Sequence, residues 1–106
     1  MHVEIHTDEK KVTYTFVLTG ELDAHYAPVL KKQLDTILEQ GHSHIVLDVS
    51  RVTYMDSTGL GVCMGLLKKV HKQDGFLEVT GVSSRIQRLF DLTGFTEILQ
   101  KYGKER

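Results

Sequence analysis

The sequence predicts an α/β domain: a small, mixed, mostly parallel β-sheet flanked by helices, opened by a β-hairpin, in the order β-β-α-β-α-β-α-(α). Val3 and Ile5, then Val12, Tyr14, Phe16 and Leu18, alternate with polar residues on either side of the polar turn Asp8-Glu9-Lys10-Lys11. That is the period-two pattern of two antiparallel strands. Ile45-Val46-Leu47-Asp48-Val49 is apolar on both faces but for one residue, as a central parallel strand is. Helix-period and strand-period runs then alternate to the end, which is how a parallel sheet with helical crossovers reads. A chain of 106 residues suits one domain, 1–106, with a core over about 3–100 and a fraying tail over 101–106.

Each element has its own cause. The first strand carries His2, Glu4 and His6 on a wet face, and the second is rich in β-formers, with Val17 the apolar exception to its alternation. Gly20-Glu21-Leu22-Asp23 ends the hairpin. Pro28, the only proline, fits the first turn of a helix, where a missing N–H is harmless. Leu30, Leu34, Ile37 and Leu38 form that helix's apolar stripe, and Gly41 is its stop signal. After the central strand, Leu60, Cys63, Met64, Leu67 and Val70 recur with helical period to about His71, and Gln73-Asp74-Gly75 ends the run. Gly65 inside this helix costs up to ~1 kcal/mol against alanine, which suggests close packing by the sheet or by an outside partner. Phe76, Leu77 and Val79 make the next strand. Ser83 or Ser84 caps a helix bearing Ile86, Leu89, Phe90 and Leu92, Gly94 breaks it, and Phe95, Ile98, Leu99 and Tyr102 mark a last helical piece.

Bulk composition narrows the function classes. Thirteen basic and 14 acidic residues give a net charge of −1, without the basic stripe of a nucleic-acid binder. No apolar run approaches the ~20 residues of a membrane span, and the polar, alternating start is not a signal peptide. Cys63 is the only cysteine, so an internal disulfide is impossible. These features read as a cytoplasmic protein. His42-Ser43-His44 has an H-x-H spacing but no third ligand in reach of the pattern, so no metal is expected. Neither a P-loop nor a G-x-S-x-G elbow is present.

The stretch Tyr54-Met55-Asp56-Ser57-Thr58-Gly59-Leu60-Gly61 is the candidate site. It is a strand-to-helix turn with Asp56 or Ser57 at the N-cap, so unpaired backbone N–H groups and two hydroxyls meet there. Gly59 and Gly61 are read as keeping the first helical turn bare for another molecule. A phosphate on Ser57 adds about −1.5 to −2 charges. The helix N-terminus tolerates it, Asp56 opposes it, and a partner packed on the turn would have to bury a dianion. The turn therefore reads as a surface switch rather than a folding switch.

The segment Val52-Thr53-Tyr54-Met55-Asp56-Ser57-Thr58-Gly59-Leu60-Gly61-Val62 resembles the signature of bacterial anti-sigma factor antagonists, the single-domain STAS proteins. Gly20-Glu21-Leu22-Asp23 with Ala27-Pro28 resembles the first loop and helix of that family, and Arg88-Leu89-Phe90-Asp91-Leu92-Thr93-Gly94-Phe95 its C-terminal motif. The resemblance implies a STAS-like fold and a binding protein, not an enzyme, that needs no cofactor. Its partner would be an anti-sigma factor that is also a Ser/Thr protein kinase. Binding frees a sigma factor, phosphorylation of Ser57 ends the binding, and a PP2C-type phosphatase resets the switch. Thr58 becomes a minor acceptor, Asp23 and Asp56 flank the acceptor, and Gly59, Leu60 and Gly61 form part of the partner's footprint. A monomer without membrane insertion is expected. Two other functions compete: a non-switched STAS scaffold or transport-complex subunit, and a nucleotide-binding protein using the helix terminus as an anion seat.

Overall fold

A computed structural model of the chain describes residues 1–8, 10, 12–41 and 44–106. The elements follow in the order β1 (His2–Thr7), β2 (Thr13–Leu22), α1 (Ala27–Leu38), β3 (His44–Met55), α2 (Ser57–Lys72), β4 (Phe76–Thr80), α3 (Ser84–Thr93), α4 (Phe95–Tyr102) and β5 (Lys104–Glu105). The strands lie side by side in the order β1-β2-β3-β4-β5. The hairpin pair β1–β2 is antiparallel, with Ile5 opposite Phe16. The pairs β2–β3, β3–β4 and β4–β5 are parallel.

That order has a geometric consequence. Parallel neighbours must be joined by right-handed crossovers, and strands laid down in one direction put every crossover on the same side. The four helices of the described residues therefore cover one face. Tyr14, Phe16 and Leu18 of β2, Ile45, Leu47 and Val49 of β3, and Leu77 and Val79 of β4 point into that layer and are buried. They meet Leu30, Leu34 and Leu38 of α1, Leu60, Cys63, Leu66, Leu67 and Val70 of α2, and Ile86, Phe90, Phe95 and Leu99 of α3 and α4. The opposite face carries Thr13, Thr15, Val17 and Thr19 of β2 with Val46 and Asp48 of β3, only half-buried. The exception in the alternation of β2 is thus an apolar residue on the open face.

Local rules account for the helix ends. Pro28 lies in the first turn of α1. At Gly94 the backbone turns left-handed, with φ +79°, closing α3 and opening α4. The segment Arg88–Phe95 is the joint between these helices: the Phe90 and Phe95 rings pack edge to face at 4.8 Å. Asp91 accepts hydrogen bonds from the Thr96 hydroxyl and from Gln87 Nε2 at 2.9 Å. Burial removes Cys63 from chemistry, since desolvation pushes its thiol up to about 12.

Three expectations need correction. The tail does not fray: α4 runs to Tyr102, β5 pairs with Glu78 and Val79, and the Arg106 amide donates to the Val79 carbonyl at 2.8 Å. Gly103 permits this return, because a Cβ there would meet the Leu77 carbonyl oxygen at 2.5 Å. Ile5 lies on the core side of the sheet, opposite Phe16, but is not covered there: it is 44% exposed, because β1 is the edge strand. The central strand extends from His44 to Met55, well past the apolar run. His42 and Ser43 of the H-x-H spacing lie outside the described residues.

Candidate functional site

Parallel strands end at a common rim, and in open α/β sheets ligands bind beyond the carboxyl ends of the strands. That rim carries the loop from Asp23 to Tyr26 after β2, the turn at Asp56 after β3 and the loop Gly81–Ser83 after β4. The first two are tied together by one side chain. Asp56 is the N-cap of α2, in extended conformation, and its Oδ1 accepts from the Gly59 amide at 2.9 Å. Its Oδ2 accepts from the Ala24 amide at 3.0 Å. The Asp56 amide in turn donates to the Leu22 carbonyl at 3.4 Å. Asp23 folds its own loop: its Oδ1 accepts from the amides of His25 and Tyr26 at 3.1 and 3.0 Å.

The Gly59 amide, followed by those of Ala24 and Thr58, holds the Asp56 carboxyl below the usual carboxylate range, against a smaller opposing effect of desolvation. A carboxylate whose folded pKa is depressed stabilises the fold above its unfolded value, near 3.8, and loses that contribution as pH falls through the lower folded value. The stability difference between wild type and Asp56→Asn is therefore expected to be full above about pH 4 and to vanish in stronger acid. Urea melts of both proteins across pH 2–7 check this; a difference independent of pH would contradict it.

This arrangement decides which residue caps the helix. Asp56 does, and Ser57 follows as the first helical residue. Ser57 and Thr58 are both exposed, and neither hydroxyl is hydrogen-bonded to another described residue. Gly61 is also exposed, with open space where a Cβ would stand. Asp23 and Asp56 are half-buried beside them. Gly59 and Leu60 turn the other way. Gly59 is buried, and a Cβ on it would drive into the Leu22 carbonyl oxygen and sit 2.8 Å from the Leu22 Cγ. Leu60 is 3% exposed, inside the core. The bareness of Gly59 thus serves the seating of α2 on β2, and only Gly61 leaves room outside.

The same geometry weighs against an anion seat at the α2 terminus. The amides that would bind a phosphate are engaged by the Asp56 carboxylate, which would also repel it. Among the described residues no cluster of three or more His, Cys, Asp or Glu could hold a metal. No helix of the described residues is long and apolar enough to cross a membrane.

The chain belongs to the STAS domain family, whose profile matches residues 4–105. It is 38% identical over 99 residues to the anti-sigma-B factor antagonist of Bacillus subtilis (strain 168), covering 93% of this chain and 90% of that one. The anti-sigma-B factor antagonist of Staphylococcus aureus (strain NCTC 8325 / PS 47) is 37% identical over 99 residues, with 93% and 92% covered. The fold of the present chain matches that of the Bacillus cell fate determinant SpoIIAA in the phosphorylated form, with a TM-score of 0.76 at 22% identity over 99% of this chain and 91% of that one.

Proposed function

We propose that this protein is an anti-sigma factor antagonist whose grip on its partner is set by the phosphorylation state of Ser57. The observation that carries the reading is the Ser57 hydroxyl itself. It is exposed on the binding rim, it has no role in holding the turn, and it stands next to a carboxylate that does hold it. Relatives named as anti-sigma-B factor antagonists, similar over nine-tenths of both chains, support the antagonist part of this reading.

In the unphosphorylated form the exposed patch of Ser57, Thr58 and Gly61, with the Asp23 loop beside it, packs against an anti-sigma factor that is also a Ser/Thr kinase, and a sigma factor is released. The kinase transfers the γ-phosphoryl of ATP to Ser57 Oγ, and the serine proton passes to a base of the kinase. The chain contributes the hydroxyl and its presentation and performs no catalysis. Thr58, one residue into the helix and also exposed, is the minor acceptor. Gly59 and Leu60 act from beneath by fixing where the hydroxyls stand. A PP2C-type phosphatase removes the phosphate.

The test uses the purified kinase with Mg-ATP and mapping of the modified residue by mass spectrometry. One phosphate is expected on Ser57, with Ser57→Ala losing nearly all incorporation while still binding the kinase. Undiminished incorporation in Ser57→Ala would reject the site, and absence of any complex would reject the partner.

A further inference from the structure

At the other end of α2, about 16 Å along the helix from Ser57 to Lys68, lies a feature that the Ser57 switch does not use. A groove of about 550 Å³ runs between the last two turns of α2 and the outer face of α4. Its floor is apolar: Leu67 is buried at the bottom, and Ile98 and Tyr102 stand 40% and 39% exposed along one wall. Its other wall is cationic. Lys68 and Lys72, one turn apart on α2, line it without an ion-pair partner among the described residues, and His71 stands between them. Lys69 also lines the groove, but its ammonium is paired with Asp35 of α1 at 2.9 Å. No carboxylate lines the groove among the described residues.

Two features go beyond what the fold requires. Lys68 and Lys72 are like charges one helical turn apart and repel, although Lys72, in the last turn of α2, is favoured by the helix dipole. Gly65, at the head of the groove, is exposed and has nothing within 4 Å of the place a Cβ would occupy, so neither the sheet nor a neighbouring helix requires it. It leaves a low saddle over which a second helix can lie. The Tyr102 ring is held against His71 at 4.8 Å, which presets the apolar wall.

We infer that the α2–α4 groove docks an acidic amphipathic helix of a partner protein, its apolar stripe on Leu67, Ile98 and Tyr102 and its carboxylates on Lys68 and Lys72. This is helix-in-groove recognition, with charge setting the orientation. The surface lies away from the rim and is independent of the state of Ser57.

The experiment uses the full chain and a fluorescein-labelled 18-residue helical peptide with leucines on one stripe and glutamates on its flanks. Anisotropy should show binding at least ~10-fold tighter than to the same peptide with lysine for every glutamate. Lys68→Glu/Lys72→Glu should weaken it at least ~10-fold, Ile98→Ser should weaken it independently, and Ser57→Asp should leave it within about twofold. Amide shifts in NMR should cluster at residues 65–72 and 98–102. Equal binding of the lysine peptide, shifts confined to the Ser57 rim, or no binding would overturn the inference. So would pelleting with phosphatidylglycerol vesicles in the absence of peptide binding, which would make the groove a lipid site.

Discussion

Ser57→Asp is expected to weaken the complex with the anti-sigma factor by at least about 30-fold, while Ser57→Ala binds as wild type does. Neither change should move the melting temperature by more than about 4 °C, because exposed substitutions stay within ~0.5 kcal/mol. The asymmetry follows from the position. In the isolated protein a new charge at the first residue of α2 sits in water, favoured by the helix dipole and opposed by Asp56, and these effects are of similar small size. In a complex the same charge is stripped of water without a partner, which costs about 2–5 kcal/mol and sets the lower bound on the loss. Isothermal titration together with differential scanning calorimetry separates the two effects. A Ser57→Asp protein that binds with wild-type affinity would end the switch reading; one that fails to fold would show that the turn cannot hold the charge.

Gly59→Ala is expected to be strongly destabilising. The new carbon has no soft neighbour: it meets the Leu22 backbone carbonyl, which is part of β2, and α2 must lift from the sheet to admit it. Overpacking commonly costs 1–3 kcal/mol, and a rigid obstacle puts this site at about 3 kcal/mol or more. That is a large share of the ~5–15 kcal/mol by which a domain is stable, and it lowers the melting temperature by roughly 12–24 °C. Gly65→Ala, two turns further along the same helix, has the opposite sign. With open space outside and a helical backbone, it should gain up to ~1 kcal/mol and raise the melting temperature by about 4–8 °C. Thermal melts of the two variants side by side check the pair; equal effects would mean that the inward and outward faces of α2 are misassigned.

These two glycines also show what the sequence could and could not reveal. Strand and helix periods and the proline of α1 are local, and the pattern carried them; for the cap of α2 it offered Asp56 or Ser57, and the structure selects Asp56. Whether a glycine in α2 looks inward or outward depends on what lies across from it. For Gly59 that is a backbone atom of Leu22, which no side-chain pattern records. The same holds for the second bond of Asp56: its acceptance from the Ala24 amide joins two loops distant in sequence. β5 has only two residues, too few for any period, and exists because Gly103 lets the chain fold back on Leu77. Ile5 obeyed its period and still lies exposed, because alternation reports a face but not whether a helix covers it. The Ser57 patch was legible because hydroxyls, glycine and a capping acid follow one another directly, whereas the α2–α4 groove joins distant segments and has no signature along the chain.

The one-directional winding of the sheet sorts the molecule into two ends. The loops after β2, β3 and β4 all open at the Ser57 end, while the turn at Glu39–Gly41 opens at the other. A reporter domain spliced into that far turn would be held a strand's length from the regulator. Such a fusion would report by energy transfer whether the Ser57 end is occupied, without obstructing it.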